Sequence, residues 1–140
     1  MVDYTARWCL SPAGDHTPDA TTNVTLSWSA YEPLAVRMDI TQPDGTGVAQ
    51  WLLARDLLAQ GLAVPAGQGD VRVGPHPHSA GLLVVTLGWE PGHQVQLATG
   101  AEEVADFLAR TYTVVGRGAE HEGADIDAEL ADLLGGGGPR

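Results

Sequence analysis

Two histidines in the segment His76-Pro77-His78 are the clearest candidate ligands for a metal ion. Alternate residues of an extended segment share a face, so the two imidazoles could converge on one ion. A zinc site needs further protein ligands, and no cysteine lies nearby in the sequence to complete the set. A solvated loop constrained by proline is therefore the favoured interpretation, with zinc binding as the alternative, and no metal site is predicted.

Three carboxylates at alternate positions, Asp125, Asp127 and Glu129, are similar to the start of a calcium-binding EF-hand loop. That loop requires glycine at its sixth position, where this chain has Leu130, and the terminal glutamate of the motif is missing. The pattern is more typical of a helix N-terminus, where acidic side chains interact favourably with the helix dipole. Calcium binding is therefore not expected.

The glycines of Gly67-Gln68-Gly69 form a lone GxG motif. It precedes a predicted strand instead of linking a strand to a helix, so no helix N-terminus is placed to receive a phosphate. The sequence contains no lysine, which excludes a Walker lysine and a Schiff-base lysine. A turn explains both glycines, and no cofactor is predicted.

Cys9 is the sole cysteine, which excludes an internal disulfide and fits a reducing compartment. It has no evident histidine partner, and we interpret it as a small, buried apolar residue. No serine lies in a GxSxG nucleophile elbow. No catalytic residue is predicted and the chain is not expected to be an enzyme. An oligomeric enzyme or ligand carrier, with its site between subunits, is one alternative.

The formal net charge is -11, from 18 acidic and 7 basic residues, and the basic residues are scattered arginines. No basic stripe is available to follow a phosphate backbone, so nucleic acid is not expected as a partner. Four tryptophans and three tyrosines nevertheless keep a module for single-stranded nucleic acid as an alternative, because aromatic rings stack on bases. Trp8 and Trp28 share alternating faces with aliphatic residues, which predicts that both lie in the core.

Period-two alternation of apolar and polar residues predicts a set of amphipathic strands. They cover residues 2–10, 24–28, 34–40, 48–53, 70–74, 81–89 and 94–98, with a turn at Pro43-Asp44-Gly45. The strand over 81–89 is apolar on both faces, so helices or another subunit must cover each side. The strand over 94–98 is predicted at a sheet edge.

Three helices are predicted. The first spans residues 54–60, with Gly61 in a left-handed position after its end. The second begins after Thr99 as N-cap, holds Glu102 and Glu103 in its first turn, and buries a stripe at helical spacing. That stripe consists of Val104, Phe107, Leu108, Tyr112 and Val115. The third begins near Asp125.

Strands followed by two C-terminal helices indicate an α+β fold with a largely antiparallel sheet and a short mid-chain helix. The length of 140 residues fits one domain, predicted over 1–134, with 11–23 as a mobile loop and 135–140 as a flexible glycine-rich tail. The N-terminus lacks a signal-peptide core, and the longest apolar stretch is too short to span a bilayer. We therefore expect a cytoplasmic protein without direct membrane insertion.

The segment WLLARDLLAQGLAVPAGQGDVRVGP, residues 51–75, resembles the signature segment of the SsgA-like family of actinobacterial cell-division proteins. The positions in the family's order and spacing are Arg55-Asp56-Leu57-Leu58, Gly61-Leu62, Pro65, Gly67, Gly69 and Asp70-Val71-Arg72-Val73. Further matches are Tyr31-Glu32-Pro33, Phe107-Leu108-x-Arg110-Thr111 and the acidic segment 125–130. The resemblance runs from about the second strand to Leu134.

The resemblance implies a non-catalytic role in septation and sporulation-associated division, by localising or stabilising the tubulin-like GTPase FtsZ at future septa. It implies FtsZ and other SsgA-like division proteins as partners, assembly as a homotrimer, and a fold similar to the Whirly type of single-strand nucleic-acid binder. The family's partner contacts do not reduce to a short motif. Arg55, Asp56 and Arg72 are candidate partner-binding residues, although an ion-paired brace between the short helix and the next strand is the favoured interpretation.

Overall fold

The computed structural model describes residues 1–12, 20–41, 47–67, 69–88 and 94–119. Within these ranges the chain forms seven strands and two helices. In chain order they are β1 (Val2–Pro12), β2 (Ala20–Trp28), β3 (Ala35–Thr41), β4 (Val48–Ala54), α1 (Arg55–Gly61), β5 (Val71–Pro75), β6 (Leu82–Leu87), β7 (Val95–Gly100) and α2 (Ala101–Val114).

The described strands form one antiparallel sheet in the order β4-β3-β2-β1-β7-β6-β5. The central strand β1 pairs with β2 from Val2 to Leu10 and with β7 from Cys9 to Pro12, so it joins two groups of strands. Helix α1 connects β4 to β5, the two edge strands, and contacts both. The predicted α+β fold with a largely antiparallel sheet and a mid-chain helix is confirmed.

One face of the sheet packs against both helices. Trp8 is fully buried and Trp28 nearly so, as the alternation of the sequence predicts. Helix α2 covers β1, β6 and β7 with the predicted stripe, in which Val104 and Phe107 are fully buried. Removing this apolar surface from water is the main favourable contribution to folding. The buried apolar residues of the sheet are Trp8, Val24, Leu26, Trp28, Val36, Met38, Ile40, Leu53, Val73, Leu83, Val85, Leu87 and Leu97.

Strand β6 is apolar on both faces, as predicted. Leu83, Val85 and Leu87 are buried on the face that the helices cover. Leu82 and Val84 on the opposite face are half-buried and line a pocket on the uncovered side of the sheet. Other residues of the same chain therefore cover part of this second face of β6.

Helix α1 begins and ends one residue later than predicted, and Gly61 has a different role from the one expected. Gly61 is the last residue of the helix, and the C-cap residue Leu62 is right-handed, with φ -65°. A Cβ at Gly61 would lie 2.3 Å from Cγ1 of Val73. Glycine is needed here because helix and strand approach closely, and not because the backbone turns left-handed.

The predicted loop over residues 11–23 is partly strand in the structure. Ser11 and Pro12 extend β1, and residues 20–23 belong to β2. The ladder between the two strands reaches the pair of Leu10 and Ala20. Backbone hydrogen bonds order these residues without any apolar periodicity in their side chains, which is why the pattern missed them. Residues 13–19 lie outside the described residues.

Two predictions about β7 were wrong. It lies between β1 and β6 and is not an edge strand, because pairing with β1 adds a neighbour that local sequence does not reveal. Thr99 belongs to β7 and does not cap α2, whose N-cap is Gly100 without a side-chain hydrogen bond. Glu102 and Glu103 do occupy the first turn of α2.

Several predicted features lie outside the described residues. They are the helix from near Asp125, the glycine-rich tail 135–140, the turn at Pro43-Asp44-Gly45 and the end of the predicted strand at Trp89.

Candidate functional site

Arg55, the first residue of α1, is a fully buried arginine. Its guanidinium carbon lies 4.1 Å from the ring centroid of Tyr112 and 5.3 Å from that of Trp28. Nη1 also donates a 2.7 Å hydrogen bond to the carbonyl oxygen of Val115, just after α2. A cation held over aromatic faces and bonded to a backbone carbonyl is stabilised despite burial. Arg55 therefore ties α1 to β2 and to the end of α2.

Asp56 and Arg117 form the solvent-facing side of the same cluster. The hydroxyl of Tyr112 donates a 2.8 Å hydrogen bond to Oδ1 of Asp56. Nε of Arg117 lies 3.7 Å from the same oxygen, and its guanidinium lies 5.3 Å from the Tyr112 ring centroid. Because the Asp56 and Arg117 side chains are 58% and 65% exposed, their ion pair contributes little to stability but remains available to a partner.

The structure raises the pKa of Tyr112 above the ordinary value of 10.0, chiefly because burial disfavours the charged phenolate. The hydrogen bond to Asp56 also raises this pKa, whereas the hydrogen bond with Arg117 opposes the change. The neutral phenol is thus favoured by the folded state. Its contribution to stability is fully present below the pKa of the unfolded chain and is lost as pH rises through the higher folded pKa.

We expect Tyr112→Phe to flatten the alkaline part of the stability profile. The wild-type free energy of unfolding should fall more steeply than that of the variant between about pH 9 and about pH 11. Urea denaturation at stepped pH measures both profiles, and Tyr31→Phe at a 91% exposed position is the matched control. Parallel profiles for the wild type and Tyr112→Phe would contradict the expectation.

The loop from α1 to β5 explains the glycines of the signature segment. Ala66 and Val73 exchange two backbone hydrogen bonds of 2.8 and 2.9 Å, which fold the loop back on β5. Gly67 has φ +95°, and a Cβ there would lie 2.5 Å from the carbonyl oxygen of Val71. Gly69 also has positive φ, so the predicted turn is confirmed. We call residues 55–75, from the start of α1 to the end of β5, the α1–β5 unit.

Arg72 lies apart from the Arg55 cluster. It is exposed on β5, on the opposite face from buried Val73, and lines a pocket of about 260 Å³ with Pro65 and Thr86. Among the contacts of the described residues, none joins Arg72 to Arg55 or Asp56. The predicted brace between helix and next strand is therefore wrong for Arg72, because strand alternation directs this side chain away from α1.

Sequence reasoning missed the other members of the cluster. It placed Trp28 and Tyr112 in the core but did not connect either with Arg55, and it gave no role to Arg117. The positions come from β2, α1, α2 and the residues that follow α2, and most of them are far apart in the sequence. The available signal was the adjacent charged pair Arg55-Asp56, which interrupts the apolar segment 51–58.

The two histidines and Cys9 line one pocket of about 270 Å³ on the uncovered side of the sheet. Nδ1 of His76 accepts backbone hydrogen bonds from His78 and Ser79, each 3.0 Å, so this nitrogen closes the turn. Within the parts of the chain that the structure describes, no three histidine, cysteine or acidic residues are grouped to hold a metal. Cys9 is exposed and not buried as predicted, because it alternates with Trp8.

Comparison with known proteins connects this geometry to a family. A family model described as Streptomyces sporulation and cell division protein, SsgA, matches residues 22–120. The chain belongs to the SsgA family. The matched range contains the whole α1–β5 unit together with Trp28, Tyr112 and Arg117, so the Arg55 cluster lies inside the region that carries the family relationship.

Individual relatives agree with the assignment to the SsgA family. The sporulation-specific cell division protein SsgB of Streptomyces coelicolor is 42% identical over 110 residues, which cover 78% of this chain and 79% of the relative. SsgB of Saccharopolyspora erythraea is 39% identical over 118 residues, covering 84% of this chain and 82% of the relative. The resemblance seen in the sequence is thereby confirmed.

Solved structures support the same relationship. The SsgA-like sporulation-specific cell division protein of Thermobifida fusca has a TM-score of 0.76 and 27% identity, covering 94% of this chain and 95% of its own. A structure from work on SsgB mutations that correlate with longitudinal cell division during sporulation of Streptomyces coelicolor has a TM-score of 0.73 and 30% identity. It covers 86% of this chain and 94% of its own. The chain therefore shares its overall fold with these two solved structures.

Proposed function

We propose that this chain is a non-enzymatic septation protein that localises or stabilises FtsZ at septum sites through protein contacts. The observation that carries the proposal is the family match over residues 22–120, together with relatives named sporulation-specific cell division proteins at 34–42% identity. The Arg55 cluster suits a role in binding another protein. Its charged outer residues are held in place by a buried arginine.

The contact surface we propose is the exposed part of the α1–β5 unit. Its exposed charged groups are Asp56, Asp70 and Arg72, and Arg117 lies beside Asp56. Arg55 is fully buried and contributes by positioning α1, since a side chain without exposed surface cannot touch a partner. Gly61 at the end of α1 lets the helix approach β5 closely, so Asp56 on the helix and Arg72 on the outer face of β5 lie on two sides of one compact unit.

We further propose that the chain forms a homotrimer at the division septum, within the cytoplasm. This trimer also binds other SsgA-like division proteins. Neither described helix is long and apolar enough to cross a membrane. Half-buried Leu82 and Val84 and several exposed apolar side chains offer surfaces for subunit contacts. Light scattering tests the trimer directly, and a monomer at every concentration would exclude it.

Single-stranded nucleic acid is not proposed as a ligand. Trp8 is fully buried and Trp28 is 2% exposed, so neither ring can stack on a base. The formal net charge of -11 adds electrostatic repulsion from phosphates.

Co-sedimentation with FtsZ filaments tests the proposed function. We expect the wild-type chain to pellet with filaments, alone or with a second SsgA-like protein. We expect Asp56→Arg and Arg72→Glu to weaken pelleting at least about fivefold, because each reverses a charge at the proposed contact. Asp3→Arg, a charge reversal at an exposed position of β1, is the matched control and should pellet like the wild type.

Wild-type protein that stays in the supernatant, both alone and with a second SsgA-like protein, would count against the proposed function. If the Asp56→Arg and Arg72→Glu variants pellet as well as the wild type, the result would count against the proposed contact surface.

A further inference from the structure

Strand β4 is an edge strand without the usual protection. Its sequence, VAQWLLA, contains no charged residue and no proline. Natural edge strands commonly carry charge, proline or a bulge to prevent pairing with another chain. Among the described residues, no backbone group pairs with the outer edge of β4. This edge therefore has the chemistry of a strand that accepts another strand.

The opposite edge of the sheet is protected in the usual way. Ala66 forms two backbone hydrogen bonds with Val73 of β5 and so covers the middle of that strand. The contrast between a covered β5 and an open, uncharged β4 indicates that β4 is the edge that binds.

The backbone register shows which residues of β4 point outward. The amide of Arg55 donates a 2.8 Å hydrogen bond to the carbonyl oxygen of Leu34, which continues the ladder between β3 and β4 by one pair. Hydrogen-bonded and non-hydrogen-bonded pairs alternate in an antiparallel ladder. Ala49, Trp51 and Leu53 therefore bond to β3, and Val48, Gln50 and Leu52 direct their backbone groups to the open edge.

The side chains beside this edge are uncharged and mostly apolar, and the nearby charged residues Arg37 and Asp39 form an ion pair. Leu52 is 67% exposed and Val48 is 56% exposed, on the face of the sheet away from the helices. On the neighbouring strand, Nε of Arg37 lies 3.1 Å from Oδ2 of Asp39. A second strand at this edge would bury apolar surface without facing an uncompensated charge.

We propose that β4 pairs antiparallel with β4 of a second copy of this chain, about a two-fold axis at Gln50. In this register Gln50 faces its own counterpart and Val48 faces Leu52. The outward backbone groups then form about six hydrogen bonds between the copies. On the other face, half-buried Trp51 lies opposite Ala49, a large residue against a small one.

The self-complementary, uncharged sequence of β4 selects a second copy as the occupant. The chain carries a formal net charge of -11, so most surfaces of one copy repel another. The β4 edge is an uncharged stretch of seven residues on both partners, and its apolar side chains match one another when the strand is reversed. Two-fold symmetry requires this self-complementarity of an interface.

The two-fold contact is distinct from the proposed trimer. A ring of three copies has no two-fold axis, so pairing through β4 would join two trimers into a six-subunit assembly. The inference does not depend on FtsZ binding. Its test also separates the two contacts, because each one changes the measured mass by a different factor.

The first experiment is a symmetric crosslink. In a Cys9→Ser background, Gln50→Cys places two thiols across the axis with Cα atoms about 5.5 Å apart, within the range of a disulfide. We expect mild oxidation to give a covalent dimer in high yield. Val64→Cys, at a 51% exposed position in the turn after α1, should give little dimer under the same oxidation. Equal crosslinking of the two variants would overturn the proposal.

The second experiment measures the mass by light scattering. Leu52→Lys and Gln50→Pro should each reduce the mass of the assembly about twofold, the first by placing a charge at the interface and the second by removing an outward N–H. Val64→Lys is the matched control and should retain the wild-type mass, and circular dichroism checks that each variant is folded. If both Leu52→Lys and Gln50→Pro retain the wild-type mass, the proposal of a two-fold contact is overturned. If the trimer is wrong and this contact is right, the wild type is a dimer that Leu52→Lys converts to a monomer.

Discussion

Replacing Arg55 with alanine is expected to lower the free energy of unfolding by about 3 to 5 kcal/mol. The change leaves a cavity between the rings of Trp28 and Tyr112, which Arg55 contacts at 5.3 and 4.1 Å. It also leaves the carbonyl of Val115 without its 2.7 Å hydrogen bond. Both losses occur at a fully buried position, where water cannot replace the missing contacts. Urea denaturation of the wild type and the variant measures the difference.

Two further variants separate the causes. Arg55→Met keeps much of the volume and removes the charge and the hydrogen bond, so we expect it to destabilise less than alanine does. Arg117→Ala removes an arginine that also lies over Tyr112 but is 65% exposed, and it should change stability by less than about 1 kcal/mol. If Arg55→Ala and Arg117→Ala lower the free energy of unfolding equally, burial is not the reason that Arg55 stabilises the fold.

The substitution Gly61→Val should destabilise the chain by at least about 2 kcal/mol. Its Cβ alone would lie 2.3 Å from Cγ1 and 2.6 Å from Cβ of Val73. Both atoms belong to a branched, buried side chain of β5 that cannot move aside, so α1 must shift. Because α1 also positions Asp56, we expect FtsZ pelleting to weaken together with stability.

Gly47→Val is the control for this prediction. A Cβ at Gly47 would have no atom within 4 Å, so the same exchange there should change the melting temperature little. A Gly61→Val protein as stable as the Gly47→Val protein would mean that the contact between α1 and β5 relaxes easily.

Much of the sheet could be predicted because its pattern is local. Alternation in β1 to β3 follows from one face being buried, and it identified Trp8 and Trp28 as core residues. The buried stripe of α2 has the same origin. Val104 and Phe107 are about one helical turn apart, so they lie on the same side of the helix. These features depend on neighbours a few residues away, and a single sequence contains that information.

The order of the strands could not be predicted because it depends on distant neighbours. Nothing near residues 94–98 shows that β1 will pair with β7 and make it an interior strand. At Cys9, two sequence-based expectations disagree. Its alternation with Trp8 predicts exposure, whereas the general tendency of cysteine predicts burial, and the structure follows the alternation.

The Arg55 cluster was predictable in part. The signature segment indicated Arg55 and Asp56, and both contribute to it. Their contacts come from Trp28 of β2 and from Tyr112 and Val115 at the end of α2, so the pairing requires the three-dimensional arrangement. The same segment also indicated Arg72, which strand alternation directs away from α1 and so out of the cluster.

The ladder between β1 and β7 has a consequence for synthesis on the ribosome. Its four pairs, from Cys9 with Ala98 to Pro12 with Val95, join the first described strand to the last, whereas most other pairs join neighbours in the chain. Closing so large a loop loses more chain entropy than forming a hairpin, so the hairpins assemble first. During translation, one edge of β1 must therefore wait unpaired until β7 has emerged from the exit tunnel.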